Sequence, residues 1–208
     1  DVLDRAPTDC ILDLEGPELA GVRKACLEGS VAAVVGACLT TEGGMTLSSI
    51  VVDRQGEVCA RYDKQHLDSQ ERGWFVPGDR GCQISIDGWG LGLGICYDSS
   101  FPEHARAAAC RGADGYLVSG AFPVGESARR RSIYLPARAL ENTVYVAFAN
   151  YSGTHAGLSY CGQSSVHGPD GRPLAEAGSS GEALVVAELD RQSLLDARRT
   201  HPMLSDLG

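Results

Sequence analysis

The stretch Gly90-Leu-Gly-Leu-Gly-Ile-Cys-Tyr-Asp-Ser-Ser-Phe-Pro-Glu103 places a cysteine where an apolar run stops and a polar turn begins. Its glycine-interrupted aliphatic run predicts a strand over Leu91 to Ile95, and the alanine-rich run after Pro102 predicts a helix over Phe101 to Arg111. A thiol between the two sits on a rigid element at the mouth of a sheet. Close to backbone N–H groups it ionises more readily and attacks as thiolate. Cys96 is therefore the candidate nucleophile, set against the plainer reading of a buried thiol at a strand end. Tyr62-Asp-Lys64 ends an earlier predicted strand and brings an ammonium to a sheet mouth, where most lysines are simply solvated. Glu71 follows in the next loop, beside Trp74 and Phe75, which would withdraw it partly from water.

Other chemistry-bearing patterns fail on spacing or company. From Gly90 the glycines run G-x-G-x-G, and Ile95 fills the slot of the last glycine of a dinucleotide fingerprint. Close approach of another backbone accounts for them better. Neither a phosphate-binding G-x-x-x-x-G-K-[ST] nor a G-x-S-x-G occurs. His66 could pair with a cysteine, yet no Asn or Asp stands at a recognisable place to orient it. His104, His155, His167 and His201 read as surface or satisfied histidines. Arg129-Arg-Arg131 falls in a predicted loop over 120–131, either solvated or poised to capture a substrate carboxylate.

The elements that must carry these residues alternate between helix and strand. A helix begins at Pro17, bears Leu19, Val22, Cys26 and Leu27, and ends before Gly29. Val31 to Val35 reads as a strand closed by Gly36, and Leu47–Val52 and Glu57–Tyr62 as a hairpin turning at 53–56. Residues 63–81 form a polar loop. Cys82–Ile86 and Leu91–Ile95 pair, Tyr116–Val118 and Val144–Ala149 are strands, and 132–142 is a helix. A glycine-rich loop spans 150–162. Gln163–Val166 and Pro173–Glu176 flank a turn, Ala183–Leu189 is a strand, and Gln192–Arg199 closes the chain as a helix. Interleaved helices with recurring hairpins predict a mixed α/β sheet in one domain, residues 1–208.

At 208 residues, 43% apolar and 22% charged, the composition is that of an ordinary globular domain. The net charge of −9 argues against a nucleic-acid partner, and no apolar run reaches membrane-spanning length. Eight cysteines occur. Cys26, Cys38, Cys59, Cys82 and Cys110 lie in apolar runs as small buried hydrophobes, and finger-like Cys/His spacing is absent, which predicts a reducing, cytoplasmic setting without structural zinc.

Gly94-Ile-Cys-Tyr-Asp98 with Phe101-Pro-Glu103 resembles the nucleophile motif of the carbon–nitrogen hydrolases of the nitrilase superfamily. Tyr62-Asp-Lys-Gln-His-Leu67 and Phe75-Val-Pro-Gly-Asp79 resemble the lysine motif of that family. Ala137-Arg-Ala-Leu-Glu-Asn142, Ala149-Asn150, Gly162-Gln-Ser164 and Pro169-Asp-Gly171 match its later landmarks, in order, over residues 17 to about 200. The resemblance implies a four-layer αββα sandwich and a cofactor-independent amidase-type hydrolase, acting on a linear amide or N-carbamoyl compound through a thioester. Cys96 would be the nucleophile. Lys64 and the Tyr97 N–H would stabilise the oxyanion, with Tyr97 and Ser99 at the substrate, and Glu71 would bond the lysine and position substrate. Self-association as a dimer or larger is implied, with no metal, nucleic-acid or membrane partner. The family's general-base glutamate lies upstream of the helix at Pro17, on a segment with the first strand and helix that this chain does not contain. The domain is therefore expected to be N-terminally incomplete, and a catalytically inactive scaffold stays open as the alternative. Glu15 and Glu18 fall in the exposed opening of the next helix, where an acid is favoured by the helix dipole rather than by catalysis.

Overall fold

The computed structural model describes residues 11–155 and 157–207. Residues 1–10 of the polar opening lie outside that range. The chain divides into two compact units, Asp1–Cys82 and Gln83–Gly208.

In the first unit, Pro17 opens a 3-10 turn (Pro17–Leu19) that runs into α1 (Ala20–Gly29). Gly29 is the last helical residue rather than the one past the end. Ser30 takes the left-handed position instead, with φ 50° and its N–H turned back to the Cys26 and Leu27 carbonyls. Cys26 and Leu19 are buried, whereas Leu27 is exposed. The strands β1 (Ala33–Thr41), β2 (Gly44–Val52) and β3 (Val58–Asp63) form an antiparallel sheet in sequence order. The strand expected to stop at Gly36 continues through it, because Gly36 pairs with Ser49 inside an unbroken register from Ala33↔Val52 to Thr41↔Gly44. Leu19, Leu39 and Ile50 centre the core of this unit, with Leu12, Leu14, Ala37 and Val58 packed around them.

The second unit is built on a six-stranded sheet ordered β11-β10-β7-β6-β5-β4. Its centre is parallel: β5 (Trp89–Ile95) beside β6 (Gly115–Gly120) beside β7 (Tyr145–Asn150). At the edges β4 (Gln83–Ile86), β10 (Ser165–His167) and β11 (Pro173–Glu176) add antiparallel. The helices α2 (Pro102–Cys110) and α3 (Glu126–Asn142) supply the crossovers. Ala105, Ala108 and Ala109 from α2 and Leu135 and Ala139 from α3 share one core with Tyr116, Val118, Val146 and Phe148 of the sheet. Two glycines of β5 allow that packing. A Cβ on Gly92 would lie 2.7 Å from the Ala108 methyl, and one on Gly94 would strike the Tyr116 hydroxyl. The glycine run therefore makes room for side chains of α2 and β6.

Three expectations fail in this unit. First, α3 begins at Glu126, so Arg129, Arg130 and Arg131 are helical rather than in a loop. Glu126 in the first turn holds Arg129 through two hydrogen bonds of 2.9 and 3.0 Å. Second, the glycine-rich stretch 150–162 contains a hairpin, β8 (Ser152–His155) and β9 (Leu158–Cys161), registered from Ser152↔Cys161 to His155↔Leu158. Third, 183–189 forms no strand. A strand requires a ladder, no described segment pairs with it, and Leu184 and Val186 remain 90% and 74% exposed. Then α4 (Arg191–Thr200) follows, capped by Asp190, whose carboxylate accepts from the Gln192 and Ser193 N–H groups. Arg198 and Arg191 both bind Asp114, and Arg191 stacks 3.8 Å above the Trp89 ring. No helix among the described residues is long and apolar enough to cross a membrane.

Candidate active site

Cys96 stands one residue beyond β5. Ile95 is still extended (φ −126°, ψ 119°), while Cys96 has φ 45° and opens a 3-10 turn, Cys96–Ser100. A left-handed residue with a side chain is uncommon and is held only where its surroundings require it. Here they do. Asp98, fully buried, accepts the Ile95 N–H at 2.9 Å, and the Ser99 hydroxyl donates to the Cys96 carbonyl at 2.7 Å. Ser99, expected at the substrate, is buried, and its hydroxyl bond closes the turn. The Tyr97 ring packs edge-on against Phe101, with centroids 5.0 Å apart. Beneath the turn, His104 Nδ1 and the Tyr116 hydroxyl lie 2.8 Å apart, and His104 Nε2 is 4.0 Å from Asp98. Burial, and then the Asp98 charge, push the Tyr116 phenol well above its ordinary value, with Arg138 opposing. It stays protonated.

In the first unit, Lys64 follows β3 and is 1% exposed, with its ammonium paired to Glu71 Oε1. The other Glu71 oxygen accepts the Asp68 N–H at 2.8 Å, and Asp68 accepts the Gln70 and Glu71 N–H groups at 2.8 and 3.0 Å. The backbone of Lys64 is fixed as well: its N–H donates to Leu47 O at 2.8 Å and its carbonyl accepts from Gly78 at 2.9 Å. The expected lysine–glutamate pair therefore exists within one unit. Glu15 and Glu18 are exposed; Glu15 lies 3.6 Å from Arg23, its carboxylate 83% exposed.

Several residues differ from expectation. Arg131 is neither solvated nor open to a substrate. It is buried on α3, donates to the carbonyl and side-chain oxygens of Gln163 at 3.3 and 3.0 Å, and lies over Phe148. His167 is buried, and its Nδ1 has no hydrogen-bond partner among the described residues, so it reads as neither a surface nor a satisfied histidine. Of the cysteines expected inside, Cys59 on β3 and Cys110 at the end of α2 are exposed, Cys82 just before β4 is half-buried, and Cys26 and Cys38 are buried. Asn150 joins two loops that the sequence left separate, accepting the Phe122 N–H at 2.9 Å and donating to Gly162 O at 2.7 Å. Only its place in the Ala149-Asn150 landmark marks it in sequence.

Cys96 is thus held in a left-handed turn at the end of a parallel strand, and residues 3–199 match the profile of the carbon–nitrogen hydrolases. The chain belongs to that family, within the nitrilase superfamily, and has its mixed α/β fold. It is 41% identical over 160 residues to a protein of Pseudomonas protegens described as a hydrolase in the pqqF 5' region, covering 75% of this chain and 55% of that protein. It is 36% identical over 196 residues to an (R)-stereoselective amidase of a Pseudomonas species, covering 93% of this chain and 70% of the relative. The chain thus spans about half the length of the first and 70% of the second. A mutant of the amidase from Nesterenkonia sp. AN1 superposes with a TM-score of 0.75 at 38% identity, over 88% of this chain and 70% of that one. That structure shows covalent addition of the acetamide moiety of fluoroacetamide at the active-site cysteine, and another structure of the same amidase holds butyramide.

Proposed function

We propose that this chain carries the thiol chemistry of an amidase, hydrolysing a linear amide or N-carbamoyl compound without a cofactor. The observation that carries the reading is the strained, hydrogen-bonded turn that presents Cys96 at the end of β5. The family membership and the amidase relatives support it. In this reading the Cys96 thiolate forms a bond to the amide carbon, and the carbonyl electron pair moves onto oxygen. Lys64 and the Tyr97 N–H stabilise that oxyanion, and Glu71 holds the lysine in place through their ion pair. Collapse expels ammonia or an amine once the nitrogen is protonated, leaving a thioester. Water adds to the thioester, the acid departs, and the thiol is restored. No carboxylate of this chain is assigned as the general base; Glu15 and Glu18 are left out of that role.

Butyramide and an N-carbamoyl amino acid are the probes, with ammonia release as the readout. The reading expects turnover of one of them by the intact protein, a thioester mass on Cys96 after rapid quenching, and neither in Cys96→Ala. Turnover that survives Cys96→Ala overturns it. The family likeness also supports self-association as a dimer or larger, which sedimentation tests, and cysteines spread through apolar runs without finger-like spacing support a cytoplasmic setting.

A further inference from the structure

We propose that Arg138 is a positioning residue for the Cys96 turn, acting through the carbonyls that close it; the inference rests on reading Cys96 as the nucleophile. Arg138 lies on α3 with its side chain 5% exposed. Its Nε donates to the Ser99 carbonyl at 3.0 Å and one terminal nitrogen to the Ser100 carbonyl at 3.2 Å. The other terminal nitrogen donates to the Glu141 carboxylate at 2.8 Å, and the guanidinium carbon sits 5.7 Å from the centre of the Tyr134 ring.

A five-residue 3-10 turn leaves its last carbonyls without partners of its own. Buried carbonyls in that state are unfavourable, and a helix end carrying partial negative charge favours a cation. The planar guanidinium reaches two successive carbonyls at once; the single point charge of an ammonium does not. The link then continues inward. Ser99, whose carbonyl Arg138 holds, gives its hydroxyl to the Cys96 carbonyl at 2.7 Å. Glu141, Arg138, Ser99 and Cys96 form one chain of hydrogen bonds, and its last member is the residue whose left-handed φ directs the thiol. The sequence motif Ala137-Arg-Ala-Leu-Glu-Asn142 thus has a task at the nucleophile: its arginine and glutamate set the turn.

Site-resolved alkylation by iodoacetamide, followed by peptide mass spectrometry on the intact protein, tests this, with exposed Cys110 as internal reference. Wild-type Cys96 is expected to label faster than Cys110. Arg138→Lys should slow Cys96 by about tenfold and Arg138→Met by up to about a hundredfold, the scale expected when a reacting group is misplaced by an ångström. The Cys110 rate should not move. Glu141→Gln should slow Cys96 less, in the same direction. A purely structural arginine would lower the melting temperature and leave Cys96 labelling of the folded protein unchanged, and that result overturns the inference. If the Arg138 variants do not fold, an unchanged Cys96 rate in folded Glu141→Gln overturns it equally. Wild-type Cys96 labelling no faster than Cys110 defeats the nucleophile reading itself, a separate outcome.

Discussion

Lys64 and Cys96 are held in opposite ways. Lys64 is fixed by charge: a buried ammonium on Glu71, which is itself fixed by the Asp68 N–H, with Asp68 capping the turn. Cys96 is fixed by backbone: one residue of left-handed turn, clamped by Asp98 and Ser99 and backed by a glycine-lined strand. The difference teaches what each region tolerates. An ion pair survives small movements of its loop, since its energy falls slowly with distance. A turn that aims a single side chain does not, because orientation is what it supplies.

The largest effect should come from removing the thiol. Cys96→Ala is expected to bring ammonia release to background in a folded protein, and measurable turnover would mean that the second unit does not carry the reacting group. Next, Lys64→Met should lower kcat by about a hundred- to a thousandfold, the usual loss for one donor at an oxyanion, with Glu71→Gln falling between it and wild type. Equal, small effects of both would place the pair in the architecture and outside the chemistry. Gly94→Ala tests the backbone side. Its methyl meets the Tyr116 hydroxyl, and over-packing of this kind destabilises by about 1–3 kcal/mol. The melting temperature should drop and be partly restored by adding Tyr116→Phe. Chemical denaturation would show whether that holds.

The smallest effect concerns pH. Burial holds His167 below its ordinary value of 6.5, with Arg131 acting in the same sense and Glu176 against it. The unfolded chain therefore binds the proton more readily than the folded one. The stabilisation is complete above pH 6.5 and is lost as pH falls through the folded value. The urea midpoint of the wild type should decline over that range, and His167→Asn should flatten the decline.

The strand, turn and helix around Cys96 were legible because local signals agreed: aliphatic residues between glycines, then Pro102 in the first turn of an alanine-rich helix. Lys64 and Glu71 were legible as a motif, and their pairing was implied by the family resemblance rather than by the loop between them. What stayed hidden has a common cause. The inward side of α3 carries Arg131, Arg138 and Asn142 among Leu135 and Ala139, so its hydropathy shows no apolar stripe over the first turns. Arg131 and Arg138 there donate to carbonyls far away in sequence, those of Gln163, Ser99 and Ser100. Conversely, 183–189 is an apolar run that reads as a strand and forms none, since such a run reports surface to bury and says nothing of a neighbour to pair with. The hairpin 152–161 was missed for the opposite reason: β8 carries Ser, Gly and His around a single Thr and has no apolar alternation, yet the register forms.

The left-handed φ of Cys96 also decides which silent variants are useful. A β-branched residue in that conformation is strained, so Val or Thr in its place would disturb the turn as well as remove the thiol. Glycine has no such penalty. Cys96→Gly is expected to melt higher than the wild type by the few degrees that about 1 kcal/mol represents in a chain of this size. Stability alone would therefore favour losing the cysteine at this position.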